Sequence, residues 1–300
     1  MQPIRAGRSD PAPSSQLPAP CTLYPVSFRR TAALLLRQYY LLRGSPARFV
    51  PLFAWVAIDI VLWGFITRYL NSVSGARFNF VPTMLGAVLL WDFMARVMQG
   101  ITTAFLEDVW SRNFLNLFAS PLSVSEYLGG LVLSSIATSS VGLVVMVALA
   151  TLVFGLSFFV YGAMLAAFLL VLFLFGISLG IFGSALVLRF GPAAEWFIWP
   201  IPAFISPLAC VFYPLSVLPH WMQWLSRIIP PSYVFEGMRQ ILARQTGAPA
   251  PGHALASTHL IAGAALALVY LLLMARAFTA VYRHAVRTGL IARYSAETVS

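Results

Sequence analysis

Long apolar runs separated by short polar breaks fill the chain from Val50 to Tyr282. A helix needs about 20 apolar residues to cross a bilayer. Six runs of that kind are legible, at about 50–70, 81–105, 127–154, 158–188, 194–215 and 258–282. The fifth contains Pro200, Pro202 and Pro207 and is expected to kink, because proline removes a backbone donor and crowds the preceding turn. The pattern predicts an all-α integral membrane protein with six transmembrane helices.

Two further stretches have helical periodicity without a span's apolarity. Over 27–43, Phe28, Ala32, Leu35, Tyr39 and Leu42 share one face, and Arg29, Arg30 and Arg37 lie opposite. Ser27 is placed to cap this helix and Gly44-Ser45-Pro46 to end it. A basic amphipathic helix before the first span is expected to lie on the cytoplasmic face with its arginines toward anionic headgroups, or to pack on a partner subunit. Over about 106–120, Trp110, Phe114, Leu117 and Phe118 form an apolar face, while Glu107, Asp108, Arg112, Asn113 and Asn116 form a polar one. Pro121 ends this helix, and Ser123 with Glu126 has capping-box spacing for the third span. Held between two rigid spans and carrying both charge signs, the stretch reads as a docking element. Trp110, Phe114 and Phe118 would anchor it, with Glu107, Asp108 and Arg112 at the rim.

Between the last two spans, at about 219–242, Pro219 and Pro230-Pro231 break the chain into short aromatic helices bearing Trp221, Trp224, Tyr233, Glu236 and Arg239. They are too short to span and too apolar for a solvated loop, so they read as a re-entrant or interfacial hairpin rather than a folded extracellular loop. Ser232 is placed to cap the second of them.

Composition sharpens this picture. Of 300 residues, 60% are hydrophobic and 9% charged, which is a polytopic membrane composition. The formal net charge of +10 would suggest nucleic acid in a soluble protein. Here the arginines gather at the two ends, as cytoplasmic flanks do, so no nucleic-acid partner is expected. Arg5, Arg8, Arg29, Arg30, Arg37, Arg43 and Arg48 precede the first span, and Arg283, Arg287 and Arg293 follow the last; Arg68, Arg77, Arg227, Arg239 and Arg244 blur the bias. Six spans and this bias put both termini in the cytoplasm. Residues 1–26 are Pro-rich and polar and 286–300 are polar, so both read as cytoplasmic tails, the first of them disordered.

All 19 basic residues are arginine. Without a lysine there is no P-loop and no Schiff-base site, so a nucleotide used by this protein must bind another chain. Cys21 and Cys210 are far apart, and the histidines form no metal-ligand pattern; no metal is expected. Inside the spans lie Asp59, Asp92 and Arg96, charges that are costly in lipid and therefore functional candidates. Asp92 and Arg96 are one helical turn apart and can neutralise each other, so a structural pair is an equal alternative. No acidic or histidine chain of a proton relay runs through the spans.

The stretch Pro214-Leu-Ser-Val-Leu-Pro219…Ile229-Pro230-Pro231-Ser-Tyr233-Val-Phe-Glu236-Gly-Met-Arg239 resembles the C-terminal motif of the permease subunits of type-2 ABC exporters. Glu107-Asp-Val-Trp110…Ala119-Ser-Pro121-Leu-Ser…Glu126-Tyr127 resembles their coupling-helix region. The resemblance covers roughly 27–285, and its relatives export drugs, nodulation factors, O-antigen and teichoic acid. It implies two permease copies, identical or different, and two ATP-binding cassette subunits carrying ATP and Mg. It implies a substrate path at the permease interface, with Glu107, Asp108, Trp110, Arg112, Phe114, Leu117 and Phe118 coupling to the ATPase. The chain itself would bind no cofactor and be no enzyme. It would move an amphipathic or lipid-linked molecule out of the cytoplasm. A lipid-modifying membrane enzyme and a secondary carrier are the alternatives.

Overall fold

The computed structural model describes residues 27–73, 84–111, 117, 122–156, 161–246 and 256–289. Every regular element among them is helical: α1 (Phe28–Arg43), α2 (Pro46–Val73), α3 (Gly86–Trp110), α4 (Val124–Phe154), α5 (Met164–Phe190), the short α6 (Glu195–Ile198) and α7 (Ile201–Ile205), α8 (His220–Arg227), α9 (Pro230–Thr246) and α10 (Ala256–Arg287). The tail 1–26, the end of the chain beyond 289, and the coupling-stretch residues Arg112, Phe114 and Phe118 lie outside the described residues.

Among the described residues, α4, α5 and α10 are long and apolar enough to cross a membrane. The 28-residue α2 and the 25-residue α3 occupy the first two expected spans. The fifth expected span is not one helix. In its place stand a 3-10 turn at Pro192–Ala194, then α6 and α7, then turns leading to a second 3-10 turn at Leu215–Val217. Pro200, Pro202 and Pro207 each withhold a donor from the helical ladder. Three such gaps within eight positions leave no uninterrupted run.

The core is built around α5, which packs against α3, α9 and α10. Gly176, Gly180 and Gly183 recur on its α3-facing side. A Cβ on Gly180 would sit 2.8 Å from the Ile101 Cβ and 3.1 Å from the Met98 carbonyl oxygen, so only glycine admits this approach. Across the tight seam, the Thr102 hydroxyl donates to the Gly180 carbonyl at 3.2 Å. On the far side of α5, Phe175 meets Tyr270 of α10 edge to face, with ring centroids 5.4 Å apart. α4 closes the other side of α3 and carries α1 and α2.

The amphipathic helix packs on α4, with two of its arginines turned toward the protein. Its buried side carries Arg30, Leu34 and Arg37, with Leu34 filling the space a side chain would need at Gly130 of α4. Phe28 and Tyr39, on the expected apolar face, stand exposed. Two of the three opposing arginines therefore meet carboxylates of the protein rather than headgroups. Ser27 occupies the cap position without a side-chain cap bond.

In the hairpin region, α8 exposes Trp221 (65%) and Trp224 (68%), whereas α9 is enclosed by α5 and α10 with Val234, Phe235 and Met238 buried. α9 begins at Pro230, so Ser232 lies in its first turn and its hydroxyl donates to the Ser226 and Ile229 carbonyls.

Candidate functional site

Two carboxylates fasten α1 to both sides of the α3–α4 connection. At the start of α4, the capping box expected from spacing is present. The Ser123 hydroxyl accepts from the Glu126 N–H, and the Glu126 carboxylate accepts from the Ser123 N–H at 2.8 Å. The same carboxylate reaches outward. Its Oε1 accepts from the Ser27 N–H, and Arg30 Nε lies 3.1 Å away. At the end of α3, Asp108 is 1% exposed, so it does not stand at a rim as the coupling-helix reading had it. Arg37 donates to both of its oxygens and the Tyr127 hydroxyl donates to Oδ2 at 2.9 Å. Hydrogen bonding to Asp108 holds the Arg37 guanidinium above the usual arginine range, against the opposing cost of its burial. The clamp is charge-assisted on both sides and bidentate on one.

The remaining described coupling residues separate by exposure. Trp110, at the last turn of α3, is 56% exposed, and Glu107 is half-buried. Leu117 is half-buried and packs on the chain's own core. Arg30, Arg37 and Tyr127 were missed from sequence, because their partners lie too far along the chain for any periodicity to register.

Higher in α3, Asp92 and Arg96 form the one-turn pair, with Nε 2.9 Å from Oδ2. Asp59 of α2 lies within electrostatic reach of both. The pair belongs to a longer feature. Asp92, Arg96, Gln99 and Thr103 recur at i, i+4, i+7 and i+11, all half-buried, while the faces bearing Met94, Val97, Met98, Ile101 and Phe105 are enclosed. Near its lower end a shallow crevice lies between α3 and the α6 turn, bordered by Met98, Gln99, Thr103, Leu106, Glu195 and Trp199, and the surface it opens onto is apolar. The Trp199 indole N–H donates to Glu195 at 3.0 Å.

In the hairpin, Glu236 and Arg239 serve backbone that has left the helical ladder. Glu236 Oε1 accepts from the Leu215 N–H at 2.6 Å, and Arg239 donates to the carbonyls of Cys210 at 2.7 Å and Val211 at 3.3 Å. Buried backbone outside the helical ladder needs its polar groups satisfied in this way. Tyr233 does the same for α8, donating to the Arg227 carbonyl at 2.9 Å. Among the described residues, no three histidine, cysteine or acidic side chains gather as a metal site requires.

A family model described as ABC-2 family transporter protein matches residues 63–276. The chain belongs to the ABC-2 transporter family. The matched stretch runs from within α2 to within α10 and so takes in the polar stripe, the α3–α4 connection and the hairpin. No curated protein matches the chain. As an ABC-2 membrane subunit, it is a multi-pass ABC transporter permease, and the family implies association with an ATP-binding cassette subunit.

Proposed function

We propose that this permease exports an amphipathic or lipid-linked molecule from the cytoplasm. ATP and Mg are bound and ATP hydrolysed on a partner ATPase, and the permease works beside a second copy, identical or related. It resides in a bacterial inner membrane, spans it six times, has both termini in the cytoplasm and re-enters the outer leaflet with the α8–α9 hairpin. The observation that carries the reading is the cytoplasmic end of α3. There the exposed indole of Trp110 stands at the entry to a connection whose two flanks are held by Asp108 and Glu126. An exposed aromatic anchor on a rigid mount is what a docking contact needs, because ordering costs have already been met. Energy passes between chains only through a contact that differs between two states of the assembly.

The test replaces Trp110 and Phe114 with alanine together in the full chain expressed with its ATPase. The expected result is normal membrane insertion with release of the ATPase, or with ATP hydrolysis that substrate no longer stimulates. A variant that keeps its partner and transports at the wild-type rate places coupling elsewhere.

A further inference from the structure

We propose that the half-open stripe of α3 is a wall of the substrate path and that the substrate is an organic cation with an apolar body; this rests on the permease reading and narrows it. The stripe runs from Asp92 to Thr103, about 16 Å of helix at 1.5 Å per residue. It carries a carboxylate, a guanidinium, a primary amide and a hydroxyl on a face of α3 that stays partly exposed, with 22% of the Asp92 side chain and 12% of the Arg96 side chain accessible. Such groups are costly against lipid and sit instead on water-filled or protein-lined paths.

The charges along it do not balance. Asp59, Asp92 and Glu195 border the stripe against the single guanidinium of Arg96, whose salt bridge is to Asp92. This occurs in a chain with 19 arginines and 9 acidic residues. Elsewhere Asp108, Glu126 and Glu236 each hold an arginine. Among the described residues, neither Asp59 nor Glu195 makes a salt bridge. Among the described residues, the hydrogen bond to Glu195 comes from the neutral Trp199 indole, which brings no opposite charge.

Aromatic surface flanks the same groups. Trp196 and Trp199 follow Glu195 at one and four positions and are exposed, and Trp91 is half-buried beside Asp92. Ring faces attract cations and also accept an apolar body. An anionic phosphate or glycan-phosphate would meet like charge at both ends of the stripe, which discriminates against it. In the single chain the crevice has room for about one water molecule, so the stripe is one wall and a second copy would complete the enclosure.

The experiment uses the full chain in lipid nanodiscs and two probes of one shape and opposite charge, tetraphenylphosphonium and tetraphenylborate. Saturable binding above empty nanodiscs is expected for the cation and not for the anion. Glu195→Gln keeps an acceptor for the Trp199 indole and removes only the charge; Asp59→Asn likewise neutralises without truncation. Each is expected to weaken cation binding about tenfold, the size of one charge-assisted contact. Glu195→Asp should restore most of it, and Arg29→Gln should change nothing. Equal affinity for the two probes, or unchanged cation binding in a folded double variant that combines Glu195→Gln with Asp59→Asn, overturns the proposal. So does a double variant whose copies fall apart, because the carboxylates then pair across the dimer instead of with substrate. The binding is read without an ATPase, so failure to capture that partner bears on the permease role and leaves this result standing.

Discussion

The two ends of α3 treat charge in opposite ways. At the C-terminal end, Asp108 is enclosed and accepts from Arg37 and Tyr127, so its charge is met from two directions. Sixteen positions earlier, Asp92 is part of a half-open face and holds one arginine on its own helix, with the further carboxylate of Asp59 nearby. A carboxylate whose partners come from other helices fixes those helices relative to each other. One that bonds only within its own helix fixes nothing beyond it and stays available to an outside partner. The same helix thus supplies a mount at one end and a responsive surface along the middle.

The largest effect that tests this contrast is at the mount. Asp108→Ala leaves Arg37 without its partner beside a low-dielectric interior and is expected to cost about 3–5 kcal/mol. Thermal unfolding of the purified chain reads this directly, and an unchanged midpoint would dissolve the distinction between the two ends. Tyr127→Phe removes only the hydroxyl that donates to Asp108 and is expected to cost about 1.5–3 kcal/mol, the range for a bond to a charged group. Its cost should shrink when Asp108 is already gone, because the two share one network.

In the middle of α3 the expectation is smaller. A double-mutant cycle on Asp92 and Arg96, whose side chains are 22% and 12% exposed, should return about 1 kcal/mol or less, as for one-turn pairs along a single helix. A coupling of several kcal/mol would mean that the stripe is sealed in the assembly. Smallest of all is Arg29→Ala, on the exposed side of α1, which should stay within about 0.5 kcal/mol in the same unfolding assay. A loss as large as that from Asp108→Ala would show that α1 is held by headgroups after all.

What was legible in the sequence was local. The capping box of Ser123 and Glu126 and the pair of Asp92 and Arg96 depend on spacings of three and four residues, which a helix converts directly into contact. The bond between Arg37 and Asp108 joins positions 71 apart, and no periodicity encodes it. The partners of the α1 arginines were illegible for a related reason: amphipathicity shows that two faces differ, and the carboxylates at 108 and 126 are what Arg37 and Arg30 meet. The fifth span misled through hydropathy, which scores side chains and is blind to donors missing at Pro200, Pro202 and Pro207. The stripe was present in the sequence at helical spacing. It went unread because Gln99 and Thr103 are uncharged and the average over the run stays apolar.

The most direct test of the account is where the ATPase touches this chain. A photo-reactive phenylalanine analogue is placed at Trp110 in one variant and at Trp196 in another; both side chains are exposed and both sit beside a connection expected in the cytoplasm. After illumination of the complex in membranes, the account predicts a cross-link to the ATPase from position 110 and none from position 196. A cross-link from 196 alone would contradict it and move the coupling contact to the α5–α6 turn.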